Sequence, residues 1–88
     1  MYGYNIKMSS QDKENIIKEF LPVVRYTAYR LSWRLPPQIS VDDLISVGLN
    51  GLFYAMERFE QGRVKLKTYA QYRIKGAMLD ELRAVEWI

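Results

Sequence analysis

Aromatic and arginine side chains share one side of the helix predicted for residues 66–84. At about 100° per residue, that side collects Tyr69, Tyr72, Arg73, Gly76, Asp80, Arg83 and Trp87. Aromatic rings left in water expose apolar area that costs about 25 cal/mol per Å², and clustered exposed apolar groups mark interaction sites. Rings interleaved with guanidinium groups therefore indicate a surface that binds a partner.

The opposite side of the same predicted helix is apolar. It carries Ala70, Ile74, Ala77, Met78, Leu82 and Val85, which we expect to form a core stripe. A second interpretation stays open for Tyr69 and Tyr72, in which either ring packs against a neighbouring helix. Gly76 is the more specific signal, because a glycine inside a helix costs about 1 kcal/mol relative to alanine. We expect another helix or a ligand backbone to approach closely there.

Charge is distributed unevenly along the chain, whose net charge is +3. Residues 63–83 contain six Lys or Arg side chains and two acids, whereas residues 41–60 contain four acids and one arginine. The basic segment suits a nucleic acid, and the acidic segment suits a basic protein surface. The two segments are therefore expected to face different partners.

The composition argues for one small folded domain without catalytic activity. The chain has 88 residues, of which 49% are hydrophobic and 26% charged, and it contains no histidine and no cysteine. Disulfides and thiolate metal sites are therefore excluded, and the commonest general base is missing. The acidic pairs at 42–43 and 80–81 diverge around a helix instead of converging on a substrate. We expect neither an enzyme nor a bound cofactor or metal.

The sequence shows no signal for a membrane or for export. Apolar runs are shorter than the stretch of about 20 residues that spans a bilayer. The first ten residues, MYGYNIKMSS, lack the apolar stretch of a secretory signal. The absence of cysteine suits a reducing compartment, so we expect a cytoplasmic protein.

Capping signals and a proline divide the first half of the chain into two predicted helices. Ser9-Ser10-Gln11-Asp12 has the pattern of a capping box, in which both polar side chains satisfy free amides at a helix start. Pro22 removes a backbone donor and clashes with the preceding turn. We therefore expect a break or kink at Pro22, with the first helix running to about Leu21 and a second from Pro22 to about Leu35. Pro36-Pro37 ends that helix.

The second half of the chain adds two more predicted helices. Ser40-Val41-Asp42-Asp43 is a second capping box, and it starts a helix that reaches about Phe59. A turn at residues 60–63 precedes the last predicted helix. With no strand pattern, the expected fold is all-α, a compact bundle of about four helices. Residues 1–8 are expected to form a disordered or loosely ordered tail, and residues 9–88 the domain.

One long stretch carries a family resemblance: VDDLISVGLNGLFYAMERFEQGRVKLKTYAQYRIKGAMLDELRAVEW. It resembles the second conserved region of bacterial sigma factors, and RIKGAMLDELR followed closely by a Trp most resembles the flagellar or motility type. The similarity continues upstream in EFLPVVRYTAYRL and RLPPQISVDDLISVG, so it covers the chain from about residue 12. The resemblance implies a helical domain that binds the clamp helices of the largest RNA polymerase subunit. It also implies that the domain recognises the minus-ten promoter element and helps to melt it.

The resemblance assigns a polymerase-binding surface to the predicted third helix. It consists of Asp43, Ser46, Val47, Leu49 and Phe53. Asp43 would anchor a basic residue of the clamp helices. Two alternatives stay open, in which Asp43 serves only the helix start and Phe53 only the core.

The DNA-binding surface that the resemblance implies nearly coincides with the row of aromatic and arginine residues. It consists of Lys65, Lys67, Tyr69, Tyr72, Arg73, Lys75, Asp80 and Arg83. A guanidinium group can bind guanine edges or phosphates, and Asp80 can accept from a cytosine amine or orient an arginine. The lysines suit phosphates, and the tyrosine rings suit unpaired bases of the non-template strand.

Complete members of the resembled family continue into further helical domains, so we expect this chain to be an excised fragment of a longer protein. Motility-type members are held inactive by a small anti-sigma protein, which could contact this domain. The competing hypothesis is a helical protein-interaction module whose basic face never binds DNA.

Overall fold

Three α-helices make up most of the chain that the computed structural model describes, residues 9–59 and 65–86. They are α1 (Ser10–Leu31), α2 (Val41–Arg58) and α3 (Leu66–Glu86), and a 3-10 turn at Ser32–Arg34 follows α1. No strand occurs within these described ranges. The all-α prediction is confirmed. In the same ranges, no helix is both long and apolar enough to cross a bilayer.

Both predicted capping boxes are confirmed. The Ser9 hydroxyl accepts from the Asp12 amide at 3.1 Å, and the Asp12 carboxylate accepts from the Ser9 amide at 3.3 Å. At α2, the corresponding distances between Ser40 and Asp43 are 3.1 and 2.9 Å. Each box satisfies two amides that would otherwise lack partners at the helix start. The starts of α1 and α2 are therefore encoded by four residues each.

The predicted break at Pro22 is wrong, which is why the structure has three α-helices instead of about four. Pro22 lies inside α1, which continues for nine residues beyond it to Leu31. Phe20 and Val24 are both buried, so the core packs against α1 on either side of the proline. Pro22 and Lys18 are exposed, so water can satisfy the Lys18 carbonyl that loses its amide partner. Tertiary packing therefore outweighs the local cost of the proline.

The core is formed by one apolar face from each helix. Its members with no exposed surface are Val24, Ala28, Leu44, Leu52, Ala55, Ala70, Ile74 and Met78. The predicted core stripe of α3 is confirmed, because Leu82 and Val85 also pack against this cluster. The largest helix–helix interface is between α2 and α3. The orientation of α3 is therefore set mainly by α2.

Two glycines of α2 allow α3 to approach closely. A Cβ at Gly51 would lie 2.6 Å from the Arg73 carbonyl oxygen and 3.1 Å from the Ala77 Cβ. A Cβ at Gly48 would collide with the Met78 side chain. By contrast, a Cβ at Gly76 would meet nothing within 4 Å. The prediction that another helix packs at Gly76 is wrong, and the close helix contact lies at Gly51.

Two glycine substitutions should have opposite effects on stability. Gly51→Ala should lower the free energy of unfolding by about 1–3 kcal/mol, because a backbone carbonyl cannot move aside as a side chain can. Gly76→Ala, the matched control, should raise it by about 0.5–1 kcal/mol, because alanine is the better helix former. Chemical denaturation followed by circular dichroism measures both values. An unchanged free energy for Gly51→Ala would contradict the packing described above.

Candidate functional site

The outward side of α3 presents a tyrosine, an aspartate and an arginine to solvent. The Tyr72 ring is 70% exposed. Arg83 Nη1 lies 3.5 Å from Asp80 Oδ1, and these side chains are 66% and 77% exposed. An ion pair this exposed contributes little to stability, so both groups remain available to a ligand. We refer to Tyr72, Asp80 and Arg83 as the α3 outer face.

Tyr69 does not belong to the α3 outer face. It is half-buried and packs against the core. The interpretation in which a tyrosine ring packs within the domain therefore holds for Tyr69 and fails for Tyr72. Helical spacing alone could not separate them, because both lie on the arc opposite the core stripe. Tyr69 contributes only part of its ring to the surface.

Arg73 lies at the junction between α2 and α3. Its guanidinium carbon is 4.2 Å from the centroid of the Tyr54 ring, and that of Arg58 is 3.9 Å from the same centroid. Both distances are well inside the limit of about 6 Å for a cation–π contact. Arg73 Nε is buried and has no hydrogen-bond partner in the part of the chain that the structure describes. Arg73 is therefore held by stacking and does not project freely into solvent.

The three lysines of the predicted DNA-binding set are exposed but do not form a single row. Lys65 precedes α3, and Lys67 lies in its first turn. Lys75 lies on a different side of the helix, where it lines a groove of about 390 Å³ between α3 and α1. From α1, Tyr26 and Arg30 also line this groove. Positive charge therefore extends around α3 and is not confined to one face.

The predicted polymerase-binding residues of α2 divide into exposed and half-buried groups. Asp43, Ser46 and Phe53 are exposed, whereas Val47 and Leu49 are half-buried. The alternative that Phe53 belongs to the core is wrong, because 42% of its surface is exposed. Asp43 does cap α2, but its carboxylate also remains open to solvent. We refer to Asp43, Ser46 and Phe53 as the α2 outer face.

The chain also matches the model of a protein family. Residues 16–88 match the model described as Sigma-70 region 2. The chain belongs to this family. The resemblance to a flagellar-type sigma factor is likewise confirmed by the relatives of this sigma region 2 domain.

Curated relatives of this sigma region 2 domain carry sigma factor names. The domain is 46% identical over 79 residues to RNA polymerase sigma factor FliA of Escherichia coli, covering 88% of the chain and 33% of that protein. It is 38% identical over 85 residues to FliA of Pseudomonas aeruginosa, covering 96% and 34%. It is 40% identical over 76 residues to RNA polymerase sigma-D factor of Bacillus subtilis, covering 85% and 30%. The chain thus spans about a third of the length of these relatives.

Two side chains of the sigma region 2 domain were missed by sequence reasoning, namely Tyr54 and Arg58. Arg58 follows Tyr54 by four residues on α2, but no spacing in the sequence shows that the Tyr54 ring also contacts Arg73 of α3. Trp87 and the predicted turn at residues 60–63 lie outside the described residues, as does the predicted tail at residues 1–8.

Within the described ranges, no three His, Cys, Asp or Glu side chains are grouped as metal ligands would be.

Proposed function

We propose that this sigma region 2 domain acts in transcription initiation by binding RNA polymerase through α2 and promoter DNA through α3. The main support is the α3 outer face, where Tyr72, Asp80 and Arg83 stay exposed while the opposite side of the helix is buried. A helix that needed only to stabilise the domain would not require an exposed tyrosine and an exposed arginine on the same side. The proposed target is the minus-ten element of motility-type promoters.

Arg83 and Asp80 have the chemistry to read base pairs that contain guanine and cytosine. A guanidinium group has five donors in a rigid plane, so an arginine that pairs with Asp80 keeps donors for guanine O6 and N7. Asp80 lies 3.5 Å from Arg83, so the two side chains can contact the same base pair. Asp80 can also accept from the cytosine amine itself. We assign these two residues to base recognition.

Tyr72 and the lysines have the chemistry to hold an opened strand. An exposed ring can stack on an unpaired base of the non-template strand, and such stacking contributes about 1–3 kcal/mol per base. Tyr69 would contribute the part of its side chain that its packing leaves exposed. Lys65, Lys67 and Lys75 would contact phosphates, which position the strand without reading its sequence. Stacking of this kind would offset part of the cost of melting the duplex.

The α2 outer face has the composition of a protein-binding surface. It combines the exposed Phe53 ring with the Asp43 carboxylate, one suited to an apolar pocket and the other to a basic residue. These features fit the clamp helices of the largest polymerase subunit, as the resemblance implies. Ser46 lies between them on the same side of α2, and Val47 and Leu49 flank them. Contact with an anti-sigma protein stays a prediction.

One observation favours the competing function, a protein-interaction module that does not bind DNA. Tyr26 and Tyr29 of α1 and Trp33 of the following 3-10 turn are exposed, and Trp33 is 88% exposed. Exposed aromatic side chains are enriched at protein interfaces. The two functions differ in the physical origin of their affinity, which is electrostatic for DNA and mainly apolar for a protein groove.

Salt dependence should separate the two functions. If Lys65, Lys67 and Lys75 contact phosphates of single-stranded promoter DNA, the logarithm of the binding constant should fall with the logarithm of salt concentration with a slope of about −2. Fluorescence anisotropy of a labelled non-template oligonucleotide at several salt concentrations measures the slope. A slope near zero would favour the interaction module.

Arg83→Ala in a full-length sigma factor carrying this domain should weaken binding to cognate minus-ten DNA by about 1–3 kcal/mol. Selectivity should relax at one base pair, because a base contact is lost. Arg25→Ala is the charge-matched control on α1 and should preserve selectivity. Affinities for a panel of singly substituted minus-ten sequences provide the measurement. Equal weakening on every sequence would make Arg83 a phosphate contact.

Asp43→Ala should reduce polymerase binding by more than its effect on folding explains. Asp12→Ala is a closely matched control, because Asp12 holds the same capping-box position in α1. Both changes should lower the free energy of unfolding by about 0.3–1 kcal/mol. Only Asp43→Ala should lower the affinity for polymerase. This affinity is measured by competition between each variant and the unsubstituted protein for core enzyme. Similar affinities for the two variants would show that Asp43 serves only as a cap.

A further inference from the structure

The Tyr54 ring joins α2 to α3 through two guanidinium groups. Arg73 comes from α3 and Arg58 from the next turn of α2, and both guanidinium carbons lie within 4.2 Å of the ring centroid. Arg58 Nη1 also lies 3.5 Å from Glu57 Oε1. Tyr54 itself is about 39% exposed, so the stack sits at the edge of the core and borders solvent.

Stability alone does not explain why Arg73 occupies this position. Its Nε is buried without a hydrogen-bond partner in the described residues, and an unsatisfied buried donor costs stability. A second cation on the same ring adds repulsion between like charges. The arrangement therefore carries two unfavourable contributions that an apolar residue at position 73 would avoid. A role of Arg73 in binding would explain why an arginine occupies this position despite these two unfavourable contributions.

Stacking a guanidinium group on a ring fixes its plane while leaving its edges usable. The hydrogen-bond donors of arginine lie in that plane, so face contact with an aromatic ring does not occupy them. A free arginine loses much rotamer freedom when it binds a ligand. An arginine already ordered by Tyr54 loses less. The stack would therefore raise the affinity of Arg73 for DNA without touching the DNA itself.

We propose that Tyr54 is a positioning residue that orders Arg73 for DNA binding through a cation–π stack, which Arg58 completes. This inference rests on the proposed function, because it assumes that Arg73 contacts promoter DNA. Tyr54 lies on α2 and is outside the predicted DNA-binding set. It would affect DNA binding only through Arg73 of α3. The aromatic ring is what matters at position 54, and the phenol hydroxyl is not required.

The test compares Tyr54→Leu and Tyr54→Phe in holoenzyme, with each variant saturating the polymerase. Tyr54→Leu keeps an apolar side chain but removes the ring, and it should weaken binding to minus-ten DNA about three- to tenfold. Tyr54→Phe keeps the ring and should bind like the wild type. Thermal melting of each variant measures how much of any loss is due to unfolding.

A double-mutant cycle with Arg73→Gln separates positioning from general packing. If Tyr54 acts through Arg73, Tyr54→Leu should cause no further loss of affinity in the Arg73→Gln background. An equal loss in both backgrounds would overturn the proposal, as would full affinity of Tyr54→Leu in the wild-type background.

The stack also has a spectroscopic signature. The ring current of Tyr54 should shift the Arg73 Hε resonance in the nuclear magnetic resonance spectrum of the chain. The shift should persist in Tyr54→Phe and vanish in Tyr54→Leu; no shift in the wild type would refute the stack. Wild-type holoenzyme that binds no promoter DNA would refute the proposed function as well. Wild-type binding with an unaffected Tyr54→Leu variant would refute the positioning role alone.

Discussion

The close contact between α2 and α3 at Gly51 is the constraint on which the rest of the structure depends. A side chain at this position would collide with the Arg73 carbonyl oxygen, so the two backbones can be this near only because glycine has no Cβ. The contact fixes both the distance and the rotation of α3. It brings Arg73 to the Tyr54 ring, buries Ile74 and Met78, and leaves Tyr72, Asp80 and Arg83 outside. The proposed DNA-binding surface is therefore a consequence of how two helices pack.

Local signals in the sequence predicted local structure well and tertiary structure poorly. The capping boxes at Ser9 and Ser40 and the core stripe of α3 were predictable, because each depends on residues of a single helix. The continuity of α1 through Pro22 could not be predicted, because the packing that buries Phe20 and Val24 involves other helices. Gly51 and Gly76 have the same appearance in sequence, as glycines within predicted helices. Only the neighbours contributed by other helices distinguish a packing contact from open space.

The same limit explains which site residues could be predicted. Exposure of Tyr72 and Arg83 follows from the helical period once the core stripe is known. Burial of Tyr69 does not, because it depends on where the rest of the core lies. The cation–π contact between Tyr54 and Arg73 joins residues from different helices, and no period or motif connects them. Family resemblance predicted the two surfaces, but it gave no information about the contact between Tyr54 and Arg73.

Phe53 and Tyr54 are neighbours on α2 that point in different directions. Successive residues of an α-helix point about 100° apart, so Phe53 faces solvent on the α2 outer face while Tyr54 reaches the α3 arginine. The two residues share a backbone held by the buried Leu52 and Ala55 on either side. A rotation of α2 about its own axis would therefore move both side chains together. The proposed polymerase and DNA surfaces are therefore mechanically connected at α2, and a partner that shifts this helix would also shift the ring on which Arg73 rests.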